Sequence, residues 1–445
     1  MTVRRPREER APTARARLLP RDPMQRSAAA LAANTAITSL LGFLYWVVAA
    51  RYYSPAVVGE SAALISALLL MANIAELNLY NTLIRFLPTA GARSRQYAVR
   101  AYLTVAVASV VVGLVALPFL RGLDLVRELL RFGPVGVACL LAAVLVWTLF
   151  ALQDSVAIGV RAAIWVPVEN GVFGVAKLLL LVAFAGVAPL FGVLTSWLFA
   201  MVPVLVLMSC LVFCRLLPRH AAESGAGPEQ VTRRHVLAFM TLDNVALIGA
   251  TAANYLLPIV VVTLAGSEAN GYFFVAWSVA GALDVALVSV ASSLTVEGSR
   301  QRGRLGELVV ALLRRMFLLA VPIAVVVVVA APLILSLYGP AYAAHSADLL
   351  RLVAVAVLPR IVVVVWMSMN RVLHRLGRIL AAQSVLTTAV LGLSIVLVPR
   401  YGITAVGVVH LAVQTVMALA LVPGIRKVVA EGRAPSRSPG PVSGG

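Results

Sequence analysis

The sequence predicts an all-α polytopic membrane protein with about twelve transmembrane helices in two six-helix lobes. Of its 445 residues, 61% are hydrophobic and only 12% are charged, which excludes an ordinary soluble protein. The apolar residues fall into runs of about 20 or more, the length that crosses a hydrocarbon core as a helix. The longest polar loop between these runs, residues 215–235, divides them into two equal sets.

Each apolar run predicts one helix. In the first half the predicted spans lie near residues 28–50, 58–84, 98–120, 135–158, 164–187 and 189–214. In the second half they lie near residues 236–264, 270–295, 308–336, 349–370, 379–398 and 403–424. The predicted domains are a basic cytoplasmic tail (1–26), a first lobe (27–214), a cytoplasmic linker (215–235), a second lobe (236–427) and a cytoplasmic tail (428–445). Both tails are rich in Pro with Arg, Gly or Ser and lack an apolar run, so we expect them to be disordered.

The net charge of +19 reflects the predicted topology and not a nucleic-acid partner. With both termini in the cytoplasm, only six of the 37 Lys and Arg residues fall on the opposite side and two within the membrane. Basic loops remain cytoplasmic in polytopic proteins, so this asymmetry predicts that both termini lie inside. We expect the membrane to be the plasma membrane. The sequence lacks a phosphate-binding loop, an HExxH motif and a GxSxG motif, and we expect no enzymatic activity and no cofactor.

Three cysteines, Cys139, Cys210 and Cys214, fall within predicted spans and are expected to be small core residues without a disulfide. The two halves also show a weak repeat. Asn, Tyr and Gly recur in the same order, with eleven residues from Asn to Tyr in each half, at Asn34, Tyr45 and Gly59 and at Asn244, Tyr255 and Gly271. Because each half holds an even number of spans, both halves would begin in the cytoplasm and the repeat would be parallel.

Seven ionisable residues lie at membrane depth: Glu76, Asp154, Glu169, Lys177, Asp243, Asp284 and Arg360. A charge near the bilayer centre costs about 2.5–3.5 kcal/mol on insertion scales, so these residues must face a cavity or pair with one another. Three alternatives remain open. Asp154 and Glu169 could cap helices at the interface, Arg85 could be a cytoplasmic anchor, and Lys177 and Arg360 could form structural pairs with carboxylates.

Uncharged polar residues accompany these charges at helical spacing. Asn73, Glu76 and Tyr80 would share one face of the second span, and Asp243 and Asn254 would share one face of the seventh. Asn170 precedes Lys177 by two turns in the fifth span. Counted from the helix ends, Lys177 and Arg360 lie at similar depths, one in each lobe, where a substrate with two negative charges could bridge them.

Two segments resemble the Wzx-type oligosaccharide flippases of actinobacteria. They are the opening hairpin, NTAITSLLGFLYWVVAARYYSPAVVGESAALISALLLMANIAELNLYNTLIRFLP, and the fourth and fifth spans, LQDSVAIGVRAAIWVPVENGVFGVAKLLLL. The resemblance implies a member of the multidrug/oligosaccharidyl-lipid/polysaccharide exporter superfamily, whose two lobes form a V around a central cavity. It also implies that Glu76, Arg85, Asp154, Lys177 and the polar stripe of the seventh span face that cavity.

From the resemblance and the buried charges we expect a secondary transporter that flips a polyprenyl-diphosphate-linked oligosaccharide by alternating access. The expected substrate contacts are Lys177, Arg360, Arg85, Asn73, Tyr80, Asn170, Asn254 and Tyr255. The expected ion-coupling carboxylates are Glu76, Asp154, Asp243 and Asp284. Expected partners are membrane lipids and, in polysaccharide biosynthesis, glycosyltransferases and a polymerase. Two alternatives are an ion-coupled exporter of cationic drugs with the same fold and a non-transporting scaffold for glycan assembly.

Overall fold

The computed structural model describes residues 23–224 and 253–433, and these ranges are helical with short connecting turns. The helices of the first half are α1 (Pro23–Tyr52), α2 (Pro55–Ala75), α3 (Leu79–Phe86), α4 (Ser94–Leu120), α5 (Asp124–Leu130), α6 (Pro134–Gly159), α7 (Trp165–Ala185), α8 (Gly192–Leu211) and α9 (Leu217–Ser224). Those of the second half are α10 (Ala253–Ala265), α11 (Ser267–Arg300), α12 (Leu305–Ser336), α13 (Pro340–Val372), α14 (Leu376–Tyr401) and α15 (Thr404–Arg433). The expected all-α fold is confirmed.

Among the described residues, eleven helices are long and apolar enough to cross a membrane. They are α1, α2, α4, α6, α7, α8, α11, α12, α13, α14 and α15, and each overlaps a predicted span. Helix α10 covers the last part of the predicted seventh span, whose earlier residues lie outside the described ranges, as do residues 1–22, the linker residues 225–235 and residues 434–445. The chain is therefore a multi-pass membrane protein.

The predicted second span is broken into two helices. Helix α2 ends at Ala75, α3 begins at Leu79, and Leu77 and Asn78 between them have φ values of 51° and 59°. Two successive residues in the left-handed region cannot continue a right-handed helix. The expectation that Asn73, Glu76 and Tyr80 share one continuous helical face is therefore wrong, although the backbone N–H of Tyr80 donates to Glu76 Oε1 at 3.2 Å.

The two halves meet where α2 and α11 begin. Asn270 Nδ2 donates to the carbonyl oxygen of Gly59 at 2.7 Å, and Ser267 Oγ donates to Glu60 Oε1 at the same distance. The two helices touch backbone to backbone, because a Cβ added to Gly59 would lie 2.6 Å from the backbone nitrogen of Gly271. The two glycines that correspond in the predicted repeat thus lie against one another, and this end of the space between the halves is closed.

The outer surface of the helices is apolar. Side chains such as Phe119 and Val329 are 82% and 75% exposed, as expected where a surface faces lipid tails. The three cysteines are free and also exposed, so their expected place in the core is wrong. The physical reason is that an apolar side chain gains little from burial when its alternative neighbour is lipid and not water.

Candidate functional site

A cavity of about 410 Å³ lies between the two halves. Its first-half wall comes from α1, α2 and α8, and includes Trp46, Ser66 and Trp197. Its second-half wall comes from α10, α11, α13, α14 and α15. The polar and aromatic members of this wall are Asn254, Tyr255, Phe274, Trp277, Ser278, Asp284, Arg360, Gln383, Thr387, His410 and Gln414. The cavity thus combines aromatic rings, amides and one pair of opposite charges.

Arg360 and Asp284 form that charged pair. Arg360 Nε donates to Asp284 Oδ1 at 2.8 Å, and Arg360 Nη2 donates to Asp284 Oδ2 at 3.3 Å. The side chains are 18% and 39% exposed, so both remain accessible from the cavity. His410 lies next to the pair on α15, with its ring edge-on to Trp277 at 5.1 Å between centroids. A two-pronged contact of this kind fixes the guanidinium plane and leaves Nη1 for a further acceptor.

Lys177 lies in an aromatic cage formed by α1, α7 and α8. Its Nζ atom is 4.4 Å from the ring centre of Trp197, and 4.9 Å from those of Tyr45 and Phe173. The lysine is 8% exposed, and within the described ranges no carboxylate pairs with its ammonium group. Ring faces attract a cation by their quadrupole, by up to about 2 kcal/mol when the cation is desolvated.

Neighbouring contacts hold the cage rigid. The Tyr45 hydroxyl donates to the carbonyl oxygen of Val193 at 2.8 Å, and Trp197 stacks on Trp147 at 5.0 Å. Phe173 contacts the ring of Phe150 at 5.0 Å. Trp197 also lines the cavity between the halves, whereas Lys177 is not part of the cavity wall. The cation therefore lies behind the wall, in contact with one of its rings.

A second polar cluster joins the cytoplasmic-predicted ends of α6 and α7. Asn170 Nδ2 donates to Asp154 Oδ2 at 3.1 Å, and Gln153 Nε2 donates to Glu169 Oε1. Both contacts join residues sixteen positions apart across the turn between the two helices. Glu169 is 4% exposed and Gln153 is fully buried. Both carboxyl groups therefore accept hydrogen bonds from side chains of the facing helix.

Polar contacts extend from this cluster towards the cavity. Tyr80 lies close enough to both Asp154 and Glu76 to interact electrostatically with each of them. Asn73, one turn before Glu76, lies close to the side chain of Tyr255, which lines the cavity. Helices α2, α3 and α10 therefore bring these polar groups into one continuous series.

The structure places eleven of the twelve predicted site residues. Asn254, Tyr255, Asp284 and Arg360 line the cavity, and Asn73, Glu76 and Tyr80 lie beside it. Asp154 and Asn170 belong to the carboxyl cluster, and Lys177 lies in the cage. Arg85 is exposed at the end of α3, with its guanidinium 5.4 Å from the ring centre of Phe86. Asp243 lies outside the described residues.

Sequence reasoning missed the uncharged wall of the cavity. Trp46, Trp277 and Gln414 carry no signal at membrane depth that separates them from packing residues, so only the tertiary structure identifies them. For Gln153 and Glu169, the sequence did contain a feature that could have indicated their place in the site. Each stands next to a predicted site residue, Asp154 or Asn170, on facing sides of a short turn.

No family model and no curated protein matches this sequence. Solved structures do match. An inward-facing structure of a multidrug resistance MATE family transporter of the MOP superfamily has a TM-score of 0.71 at 13% identity, covering 92% of this chain and 99% of that one. The lipid II flippase MurJ in an inward closed conformation has a TM-score of 0.69 at 11% identity, covering 90% and 89%.

An outward-facing MATE structure of the same superfamily matches less closely, with a TM-score of 0.55 at 13% identity over 92% and 96% of the two chains. These identities are low, and the likeness concerns the path of the helices and not particular side chains. The chain therefore has the fold of the MATE and MurJ transporters.

Proposed function

We propose that this protein is a secondary transporter of the MOP superfamily that flips a polyprenyl-diphosphate-linked oligosaccharide across the plasma membrane. The observation that carries the proposal is the cavity between the halves, where the Arg360 guanidinium is oriented by Asp284 among amides and aromatic rings. Charge, amides and rings are the three kinds of group that a phosphorylated sugar would contact.

Arg360 is the proposed first contact for the diphosphate. Its two hydrogen bonds to Asp284 use Nε and Nη2, so Nη1 can donate to a further acceptor. Arginine suits phosphate because its planar donors match two oxygens at once and its charge is permanent. The pairing with Asp284 also keeps the empty cavity electrically neutral at this point, which lowers the cost of holding a charge inside the membrane.

The sugars would contact the rest of the wall. Asn254, Gln383 and Gln414 supply amide donors and acceptors, and Trp46, Trp197 and Trp277 supply flat apolar faces. A volume of about 410 Å³ falls within the range of roughly 300–1,000 Å³ that is usual for ligand pockets. We propose that it accommodates the diphosphate with the first sugars, while the polyprenyl tail remains in lipid.

Lys177 would act on the same substrate from behind the wall. Its ammonium group touches Trp197, and no carboxylate within the described ranges neutralises it. In a medium of low dielectric an unneutralised charge acts over a longer distance than in water. We propose that Lys177 favours an anion in the cavity while its ring contacts hold Trp197 in place.

The closed contact between the two halves supports transport by alternating access. The contact between α2 and α11 closes the cavity at the end where these helices begin, which the charge asymmetry assigns to the outside. The greater likeness to the inward-facing than to the outward-facing MATE structure supports the same direction. Movement of one lobe against the other would open that contact and close the opposite end.

The test is glycan export in a strain that depends on this protein. Arg360→Ala should abolish export and cause the lipid-linked oligosaccharide to accumulate on the inner leaflet, and Arg360→Lys should lose about tenfold, equivalent to roughly 1.4 kcal/mol. Arg400→Ala is the matched control, because Arg400 is an exposed arginine at the end of α14. Normal export by Arg360→Ala at normal protein levels would contradict the proposal.

A second candidate function is export of organic cations. The specific observation in its favour is that three tryptophans share the cavity with Asp284, since ring faces and a carboxylate suit a cation. Resistance to cationic dyes on overexpression, lost in Asp284→Asn and kept in a strain without glycan synthesis, would favour this function. No change in dye resistance would exclude it.

A further inference from the structure

The carboxyl groups of Asp154 and Glu169 lie side by side within the first half. Each carboxyl group receives a hydrogen bond through one oxygen only: Asp154 Oδ2 from Asn170 and Glu169 Oε1 from Gln153. The other two oxygens, Asp154 Oδ1 and Glu169 Oε2, are buried without a donor. These two hydrogen bonds hold the carboxyl groups next to each other, because Gln153 precedes Asp154 on α6 and Glu169 precedes Asn170 on α7. Two acceptors cannot bond to one another unless a proton lies between them, because ionised carboxylates carry no donor.

Nothing else among the described residues neutralises the pair. None of the salt bridges among the described residues involves Asp154 or Glu169. The ionisable groups that face the two carboxyl groups are Tyr80 on α3 and Tyr102 on α4, and Glu76 lies beyond Tyr80. All three of these groups are neutral or acidic, so they add no positive charge. Two negative charges held together in a buried site would be strongly unfavourable.

The orientation of the amides favours a proton over a metal cation. Gln153 Oε1 accepts a hydrogen bond from Ser209 Oγ at 3.1 Å, which turns the amide nitrogen towards Glu169. Asn170 likewise presents its nitrogen to Asp154. A sodium or calcium ion needs a shell of several oxygen ligands, and amide N–H groups cannot supply them. Among the described residues no group of three or more His, Cys, Asp or Glu side chains is placed to hold a metal ion.

We infer that Asp154 and Glu169 share one proton and form a proton-binding site within the first lobe. With the proton bound, the pair carries one negative charge and a hydrogen bond between the two side chains. When the proton leaves to water, the pair carries two negative charges that repel each other. Because the side chains belong to α6 and α7, loss of the proton favours separation of these two helices.

The site is placed to affect the cavity in two ways. Glu169, Phe173 and Lys177 follow one another at intervals of four residues on one face of α7, and Lys177 contacts the cavity-lining ring of Trp197. On the other side, Tyr80 and Glu76 lie between Asp154 and the cavity residue Tyr255. That this proton is the coupling ion of transport rests on the proposed function, whereas its presence in the site does not.

The site is tested by infrared difference spectroscopy of the purified full-length protein in lipid nanodiscs. The shared proton should give one protonated-carboxyl band that shifts in D₂O. Asp154→Asn and Glu169→Gln should each remove that band, and the double variant should remove no more than either single variant. Asp348→Asn is the control and should leave the band unchanged, because Asp348 is exposed and paired with Arg351.

Other outcomes would overturn the inference. Loss of two bands in the double variant would mean a separate proton on each group, and no loss in any variant would mean that both are ionised. Disappearance of the band on adding sodium but not potassium would mean a cation site. If the amide variants do not fold, the exchanged variant Asp154→Glu/Glu169→Asp retains both carboxyl groups and must keep the band.

Measurements of glycan export distinguish failure of the proton site from failure of the proposed function. An absent band refutes the proton site and leaves the flippase proposal intact. A band that is present, together with normal glycan export by both amide variants, refutes the coupling role alone. Loss of export in Arg360→Ala with the band retained shows that substrate binding and proton binding occur at different places.

Discussion

At the scale of single residues, this protein stabilises buried charges in three different ways. Arg360 is paired with a carboxylate, Lys177 is surrounded by aromatic rings, and Asp154 faces a second carboxyl group. The carboxylate of Asp284 neutralises the charge of Arg360. Aromatic ring faces attract the ammonium group of Lys177 but leave its charge in place. A proton shared by Asp154 and Glu169 reduces the charge of that pair from two negative charges to one. The three arrangements leave different net charges near the cavity, so we make a separate prediction for each of them.

Replacing Lys177 by Met should separate its structural and functional roles. Methionine fills a similar volume and packs well on aromatic rings, and apolar replacement of a buried charge is often neutral or stabilising. We therefore expect a midpoint of thermal unfolding equal to or above that of the wild type, with glycan export lost. The measurements are thermal unfolding in detergent and export in cells.

Lys177→Arg keeps the charge but changes its shape, and should retain part of the export activity. Full export by Lys177→Met would show that the charge has no role in transport. A large fall in the midpoint of thermal unfolding of Lys177→Met would show that the lysine mainly stabilises the packing of α1, α7 and α8.

Replacing Asp284 by Asn should release Arg360 from its fork. The cavity would then hold an uncompensated guanidinium, and an isoprenyl diphosphate used as a probe should bind about tenfold more tightly, equivalent to roughly 1.4 kcal/mol. Titration calorimetry on the purified protein measures this change. Arg360→Ala is the opposing variant and should weaken binding, and an equal affinity in all three proteins would remove the pair from the binding site.

At the scale of helices, the approach of α2 and α11 depends on two glycines. A side chain at Gly59 would meet the backbone of Ser267 and Gly271, and one at Gly271 would meet the backbone of Pro55. Backbone atoms cannot move aside as a flexible side chain can, so the helices would have to separate. The hydrogen bond from Asn270 to the Gly59 carbonyl needs the same close approach.

Gly59→Val should therefore open the contact between the halves. In a protein without its native cysteines, cysteines in place of Glu60 and Ser267 should form a disulfide, because their side chains are hydrogen-bonded in the closed contact. Adding Gly59→Val should reduce this cross-link to background, as measured by gel mobility. Gly392→Val serves as control, since nothing lies within 4 Å of a Cβ at that position. Equal cross-linking with and without Gly59→Val would show that the contact tolerates a side chain.

At the scale of the whole molecule, the outer surface of the described helices is apolar, and the polar groups of the cavity lie between the two halves. The apolar outer surface and the enclosed cavity are two consequences of the same solvent, because lipid accepts apolar side chains and excludes unpaired charges. We expect the direction of the molecule in the membrane to follow from its loops, because the topology predicted from the sequence places most basic residues on one side.

Cysteine labelling tests that direction. In a cysteine-free protein, a cysteine at Gly122 should react with an impermeant reagent added to intact cells, and a cysteine at Gly303 should react only after the membrane is permeabilised. Both glycines lie in turns with room for a side chain. The reverse pattern would invert the topology and, with it, the direction assigned to the closed end of the cavity.

The sequence alone determined the all-α class, eleven of the spans in the described residues and the presence of charges that lipid cannot hold. These follow from composition along the chain, since the length of an apolar run and the cost of a buried charge do not depend on what the helix contacts. The same reasoning identified Arg360 and Asp284 as ionisable residues within predicted spans, but it could not show that they pair with each other, because they are 76 residues apart.

Only the tertiary structure decided what surrounds each charge. It broke the second span at Leu77 and Asn78, placed Lys177 among Tyr45, Phe173 and Trp197, and brought the carboxyl group of Glu169 to that of Asp154. The physical reason is that a single helix shows which face a residue occupies but not which helix covers that face. In a membrane, where apolar side chains are equally stable against lipid or protein, hydrophobic pattern alone does not select that neighbour.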